Sequence, residues 1–319
     1  MGLANVGLRQ KPKFSVAVQT EGYQKLINNT LGDPERAKRF VAAITSAVAV
    51  NPALQECDAG SILAGALLGE SLNLSPSPQL GQYYLVPFKQ AVKDANGKTV
   101  YKTDAEGNKL KDDKGRWIKE TESKAQFIIG FKGLLTLAIR SGQYKDIDAM
   151  EIHQGEYLGR DKETGKPMFA FVEDDDKRDE LPVVGYMAYF EYLNGFRKTL
   201  YWSKDKMMKH ADKFSAAFKA SDYETFVSGA YDEKDAWKYS SYWYQDFDGM
   251  AKKTMLRQLI TKWGLTSIEM QKAVVSDDTL PHFEGSELVT ADAVEDAPVL
   301  EVVQPEYVAV SPQVNLDEL

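Results

Sequence analysis

Hydrophobic and polar residues alternate along the chain with spacings that predict helices near both ends. Asp33-Pro34-Glu35 places an N-cap aspartate before a proline at the first helical position, so a helix begins there and ends near Asn51-Pro52. Further helices are predicted from Ala59 to Leu72, from Ser203 onward, and from 248 to 263, where apolar residues recur at helical spacing. Residues 1–30 lack such a pattern and are expected to form a weakly ordered arm.

Strands are predicted where short apolar runs lie between turn residues. These runs are GQYYLVPF (81–88), IDAMEIH (147–153), MFAFVE (168–173), VVGYMAYFEY (183–192) and FRKTLYW (196–202). Asn194-Gly195 joins the last two as a hairpin. Strands in series, without alternating helices, favour an α+β fold: an N-terminal helical lobe and a central, mostly antiparallel sheet with packed helices. No internal repeat is identified.

Residues 90–124 differ in composition from their surroundings. They hold nine Lys or Arg against seven Asp or Glu, with turn dipeptides at Asn96-Gly97, Gly107-Asn108 and Lys114-Gly115. Short strand-like pieces between these turns predict a protruding β-hairpin arm with surplus positive charge. A long solvated loop is an equally good interpretation.

The net charge of −8 is unevenly distributed. Residues 273–319 contain eleven acidic residues and no Lys or Arg, so residues 1–272 carry a net charge of +3. This difference predicts a mildly basic core domain over 31–272, with 90–124 as an insertion, and a disordered acidic tail over 273–319. The overall charge therefore does not argue against a nucleic-acid partner.

Several kinds of chemistry lack their usual motifs. GRDKETGKP (159–167) imitates a phosphate loop, but its glycines are too far apart and Pro167 replaces the required Ser or Thr, so a hairpin turn is predicted instead. Three scattered histidines and the single Cys57 do not form a zinc motif, and no nucleophile elbow is present. The acidic run at 173–176 is more typical of a solvated loop than of a metal site. The sequence therefore favours a binding protein without a cofactor rather than an enzyme.

The same features bear on location. The longest apolar stretch, residues 41–50, is too short to span a bilayer, and no signal peptide is recognised. One cysteine suits a reducing compartment. A cytoplasmic location is expected.

The segment IIGFKGLLTLAIRSGQYKDI (128–147) predicts a strand followed by a short helix, with Lys132 between two glycines at the helix start. The helix dipole disfavours a cation there. A bound phosphate would resolve the conflict, because the helix offers backbone N–H groups and Gly130 and Gly133 leave room for the approach. Alternatively, Lys132 is an ordinary surface lysine and Arg140 complements a helix C-terminus. The predicted apolar face comprises Phe131, Leu134, Leu135, Ala138 and Ile139.

A second basic segment is DGMAKKTMLRQLITKWG (248–264). Its predicted apolar stripe comprises Met255, Leu256, Leu259, Ile260 and Trp263. Lys253 and Arg257 share a polar face, whereas Lys252 falls within the stripe, where a cation is costly unless it reaches solvent or an anion. Arg197 and Lys198 on the hairpin are further candidates. The aromatic residues between 214 and 247 could stack on bases, but core packing is the favoured interpretation.

Three of these segments, GQYYLVPF, IIGFKGLLTLAIRSGQYKDI and DFDGMAKKTMLRQLITKWG, resemble the RecT family of phage and prophage single-strand DNA annealing proteins. The resemblance covers about residues 35 to 275. It implies ATP-independent annealing of complementary strands in phage recombination inside the bacterial host cell. It also implies a Rad52-like annealing fold and rings or helical filaments that hold DNA in a basic groove. A phage-encoded 5′–3′ exonuclease and the host single-strand-binding protein are the implied partners.

The predicted DNA contacts follow from these segments. They are Lys132, Gly133 and Arg140 in the first basic segment, Lys252, Lys253 and Arg257 in the second, and Arg197 and Lys198 on the hairpin. Two other functions stay open: a passive single-strand-binding protein, and a metal-dependent nuclease that uses Asp174, Asp175 and Asp176. The acidic tail is expected to compete with DNA, to recruit a partner, or simply to aid solubility.

Overall fold

Helices build the N-terminal part of the chain. The structure, a computed structural model, describes residues 12–94, 96–215, 217–264, 272–273, 281–284 and 287–290. The helices before the first strand are α1 (Phe14–Ala17), α2 (Glu21–Leu31), α3 (Pro34–Ala49), α4 (Pro52–Gln55) and α5 (Ala59–Ser71). The predicted start of α3 is confirmed, because the Asp33 carboxylate accepts a hydrogen bond from the Glu35 N–H at 2.9 Å.

The N-terminal segment packs onto the core from α1 onward. Phe14, Val18 and Ile27 are each at most 2% exposed. This differs from the weakly ordered arm predicted for residues 1–30, of which 1–11 lie outside the described residues. α1 has only four residues, and α2 buries only one side chain. Neither helix therefore has enough buried apolar residues to show a helical period in the sequence.

The first sheet is a two-stranded antiparallel pair, β1 (Tyr83–Ala91) and β2 (Thr121–Ile129), with Tyr83 opposite Ile129. The strand predicted at 81–88 is therefore confirmed. α5 packs against this pair and is buried on all sides from Ser61 to Gly69. A helix that is apolar all round must be covered all round, and α5 is the centre of this half of the core.

The arm between β1 and β2 contains three turns of one kind. Their aspartates are Asp94, Asp104 and Asp112, and each is followed three residues later by a glycine with positive φ. One carboxylate oxygen in each turn accepts hydrogen bonds from the backbone N–H groups two and four residues further on. Antiparallel backbone pairs close the turns. The three turns share this hydrogen bonding but not a fixed spacing, so they do not form a repeat of constant length.

The middle of the chain forms α6 (Phe131–Arg140), β3 (Tyr144–His153), β4 (Tyr157–Arg160), β5 (Pro167–Phe169), α7 (Asp175–Asp179), β6 (Val183–Tyr192) and β7 (Arg197–Ser203). Strands β3, β6 and β7 make an antiparallel sheet in the order β3-β6-β7. Gly195 has a φ of 84° in the predicted β6–β7 hairpin turn. The predicted hairpin at 159–167 is confirmed by the β4–β5 pairing, but only two residues of the strand predicted at 168–173, Met168 and Phe169, lie in β5.

The C-terminal helices are α8 (Lys204–Phe214), α9 (Ala220–Val227), α10 (Tyr242–Gln245) and α11 (Phe247–Trp263). α11 contacts all three strands of the β3-β6-β7 sheet as well as α6. The aromatic segment 214–247 packs inward only in part: the buried rings are Phe218, Tyr239, Trp243, Tyr244 and Phe247, whereas Phe214, Trp237 and Tyr242 are exposed. The α+β class is confirmed, although the strands form separate antiparallel sheets rather than one central sheet.

Part of the acidic C-terminal segment also has regular structure. β8 (Pro281–Glu284) and β9 (Glu287–Thr290) pair antiparallel, and β8 contacts α5. This differs from the disordered tail predicted over 273–319. Two short runs that contain apolar residues, PHFE and ELVT, flank Gly-Ser in the sequence, which is typical of a hairpin. Residues 291–319 lie outside the described residues.

Candidate nucleic-acid interface

The β3-β6-β7 sheet has two chemically different faces. Side chains alternate between faces along each strand, and Ala149 and Tyr186 lie on the face that α11 covers. The opposite face carries Asp146, Asp148 and Glu191, as the strand register requires. We call it the acidic face, although Lys145 and Arg197 both pair with Glu191 and offset part of its negative charge.

Arg197 and Lys198 point to different faces of β7. The Nε atom of Arg197 lies 2.7 Å from a carboxylate oxygen of Glu191 on the acidic face. The Nζ atom of Lys198 lies 3.8 Å from the ring centroid of Trp263, at the end of α11. The structure therefore separates two residues that the sequence placed in one site.

Lys252 forms an ion pair with a carboxylate of the same chain. Its Nζ atom lies 2.7 Å from a carboxylate oxygen of Glu151 on β3, and the two side chains are 30% and 25% exposed. Burial acts to raise the pKa of Glu151, but the hydrogen bond and charge of Lys252, together with a backbone hydrogen bond and the charge of His153, outweigh it, and the pKa falls below its usual range. The position of a lysine within the apolar stripe is thus explained by a protein carboxylate, without a phosphate.

The glycines at the start of α6 allow two segments of backbone to pack closely. A Cβ atom on Gly130 would overlap the carbonyl oxygen of Gly81, and one on Gly133 would overlap that of Gln82. The Gly130 N–H also donates to the Gln82 carbonyl at 2.8 Å. Protein backbone therefore occupies the space that the two glycines leave free, and burial of Gly133 argues against it as a DNA contact.

Lys132 and Arg140 have different environments on α6. Lys132 is exposed, and no ion pair is found for it within the described part of the chain. An Nη atom of Arg140 donates to the carbonyl oxygens of Asn73 at 2.8 Å and Leu72 at 3.3 Å, where α5 ends. Arg140 therefore completes a helix C-terminus, but of α5 rather than of its own helix. Lys132 stays a predicted contact.

The predicted apolar faces of α6 and α11 are each wrong at one position. On α6, Leu137 is buried while Ile139 is 66% exposed. On α11, Met255, Leu256, Leu259 and Ile260 are fully buried, but Trp263 is 48% exposed. The face that α6 buries is also set by the close approach of Gln82 at Gly133. This contact between separate segments cannot be predicted from the spacing of apolar residues along the helix.

Arg257 meets α8 at a surface that the sequence interpretation missed. Burial of His210, and then the charges of Arg257, Lys206 and Lys213, lower the pKa of the imidazole. Three cations around one ring raise the local positive potential, which favours an anionic ligand. We call Lys206, His210, Lys213 and Arg257 the α8–α11 surface.

A signal for this surface exists in the sequence. α8 carries four lysines and two aspartates in eleven residues, and Lys206, His210 and Lys213 follow one another at helical spacing. One of the aspartates, Asp212, accepts a hydrogen bond from the Ala220 N–H at 3.0 Å. Lys253 lies one turn before Arg257 on α11 and is half-buried.

One of the three acidic residues proposed for a nuclease, Asp174, has a structural role. The Asp174 carboxylate caps α7 by accepting from the Lys177 N–H at 3.2 Å, and it pairs with the Lys177 ammonium at 2.8 Å. Among the described residues, no group of three or more His, Cys, Asp or Glu side chains is placed to hold a metal ion. No helix in that same part of the chain is long and apolar enough to cross a membrane.

The fold and the α8–α11 surface define a protein suited to bind a polyanion, and comparison with known proteins gives its family. The model of the RecT family matches residues 38–291, so the chain belongs to the RecT family. It is 33% identical over 281 residues to the protein YqaK of Bacillus subtilis (strain 168), covering 84% of this chain and 77% of that protein. It is 24% identical over 245 residues to protein RecT of Escherichia coli (strain K12), covering 77% and 72%. The family binds DNA and anneals single strands in recombination.

Proposed function

We propose that this chain anneals complementary single strands of DNA without ATP, and that the α8–α11 surface binds their phosphates. The observation that carries the proposal is the convergence of Lys206, Lys213 and Arg257 on one surface of a RecT-family chain. Lysine and arginine bind phosphates without reading sequence. Such binding reduces the repulsion between two strands and leaves the edges of the bases available for pairing.

The proposal extends to Lys132, Lys253 and Lys198 as additional contacts. Lys132 is exposed on α6, and α6 packs against α11. Lys253 and Lys198 lie on or beside α11. Arg197, Arg140 and Lys252 carry less weight, because Glu191, the end of α5 and Glu151 respectively already engage their charges.

We also propose that copies of the chain assemble into a ring or helical filament with a Rad52-like annealing fold, so that successive surfaces form a basic groove. The resemblance to the RecT family supports this part. It likewise supports a phage-encoded 5′–3′ exonuclease and a host single-strand-binding protein as partners. Annealing breaks no covalent bond, so this activity requires no catalytic residue.

The test is the pairing of two labelled complementary oligonucleotides at low salt without nucleotide. We expect the protein to accelerate duplex formation well beyond an inert protein at equal concentration, and electron microscopy of the product to show assemblies along the DNA. Slower pairing than in the absence of protein would indicate a passive single-strand-binding protein. Degraded strands in magnesium would indicate a nuclease. Either result would refute annealing.

A further inference from the structure

Three aromatic rings form a row from the core to the surface beside the α8–α11 surface. The ring centroids of Trp202 and His210 are 5.2 Å apart, and those of His210 and Phe214 are 4.6 Å apart. Trp202 is 7% exposed and Phe214 is 68% exposed. The outermost ring therefore presents its apolar surface to solvent.

Cations flank this row of rings along its length. The Nζ atom of Lys206 lies 4.4 Å from the Trp202 centroid, and that of Lys213 lies 5.1 Å from the Phe214 centroid. Arg257 approaches His210 from α11. No ion pair is found for Lys206 or Lys213 among the residues that the structure describes. An exposed ring with cations nearby offers the two contacts that a single strand needs, a surface on which a base stacks and charges that bind its phosphates.

Another exposed aromatic residue lacks this arrangement. Trp237 is 56% exposed and has Lys238 at 5.8 Å from its ring centroid. Within the described part of the chain, no second ring contacts it. Trp237 therefore provides a matched exposed ring without a supporting row.

We propose that Phe214 is a stacking platform for a base of the bound single strand, supported from behind by His210 and Trp202. Lys206 and Lys213 bind the phosphates on either side of that base. Stacking engages the face of a base and leaves its pairing edge open. This inference rests on the proposed function, because its ligand is the strand that is to be annealed.

The experiment measures binding of a labelled oligothymidine at several salt concentrations. Because Phe214→Ala removes the stacking free energy of one base, it should weaken affinity for the oligonucleotide by about 5- to 150-fold. Phe214→Leu, which keeps an apolar side chain but no ring, should behave similarly, and Phe214→Trp should restore affinity. The salt slope should stay unchanged in Phe214→Ala but fall by about 0.7 in Lys213→Gln, since only the lysine neutralises a phosphate. Trp237→Ala should bind like the parent protein.

Two outcomes overturn the inference alone. One is normal affinity of Phe214→Ala in a protein whose parent form binds and anneals. The other is a loss of affinity that accompanies dissociation of the assembly in light scattering, which would assign Phe214 to a contact between copies. If the parent protein does not bind the oligonucleotide, the proposed function fails as well.

Discussion

Gly133→Ala is expected to lower the free energy of unfolding by about 3 kcal/mol or more, the upper end of the usual cost of overpacking. The added methyl group would overlap the carbonyl oxygen of Gln82, which is backbone and cannot rotate away. Moving that carbonyl would also break its hydrogen bond with the Gly130 N–H. Denaturant unfolding measures the change. In an unconstrained helix the same substitution would stabilise by about 0.8–1 kcal/mol, so the sign of the effect is diagnostic.

Gly22→Ala is the matched control for this prediction. Gly22 lies in α2, and a Cβ atom there would meet no atom within 4 Å. We expect an effect between zero and about 1 kcal/mol of stabilisation. If Gly133→Ala were as stable as the parent protein, the close packing of α6 against the start of β1 would be refuted. The space at the start of α6 would then be available to a ligand again.

Glu156→Ala is expected to lower the free energy of unfolding by about 3 kcal/mol, the lower end of the usual cost of removing one partner of a buried ion pair. Glu156 is fully buried, and its carboxylate lies 2.6 Å from the Nε atom of Arg178, which is 22% exposed. It also accepts hydrogen bonds from the N–H groups of His153 and Val172. Removing it leaves a partly buried guanidinium and two backbone donors without their acceptor. Urea unfolding of the parent and variant gives the difference.

The pH dependence of this difference has a defined sign. Burial acts to raise the pKa of Glu156, but the hydrogen bonds from Arg178 and the two backbone groups lower it below its usual 4.5. The stabilisation is therefore complete above pH 4.5 and is lost as the pH falls through the lowered pKa. Glu163→Gln, an exposed glutamate in the β4–β5 loop, is the control and should change stability little. A parent and a Glu156→Ala variant of equal stability at pH 7 would contradict the prediction.

Local signals predicted most of the fold. The Asp33-Pro34 cap, the Asn194-Gly195 turn and the helical period of α11 each act within a few residues, and each is confirmed. The three turns of the arm were predicted from their dipeptides, but the hydrogen bonding that they share was not, because their aspartates are separated by ten and then eight residues and show no fixed period. Their similarity lies in hydrogen bonding rather than in spacing.

The candidate site depended on contacts between distant parts of the chain. Lys252 was correctly identified as needing an anion, but its partner Glu151 is on another element and only folding brings them together. Similarly, Gly133 was recognised as a position of close approach, but the approaching group is the backbone of Gln82. The spacing of Lys206, His210 and Lys213 on α8 is visible in the sequence, but the proximity of Arg257 on α11 to His210 depends on the fold.

The most direct test of the central claim compares two sets of charge removals in binding of a single-stranded oligonucleotide. One variant carries Lys206→Gln, Lys213→Gln and Arg257→Gln on the α8–α11 surface. The matched variant carries Lys98→Gln, Lys102→Gln and Lys114→Gln, three exposed lysines of the arm. Each removes three positive charges, so net charge is equal in the two proteins.

We predict that the first variant loses about 2 units of salt slope, at about 0.7 per phosphate contact on a single strand, and that its annealing rate falls with its affinity. We predict that the arm variant keeps both close to the parent values. A large loss of slope in the arm variant, with an unchanged slope in the α8–α11 variant, would place the DNA on the arm and contradict the central claim.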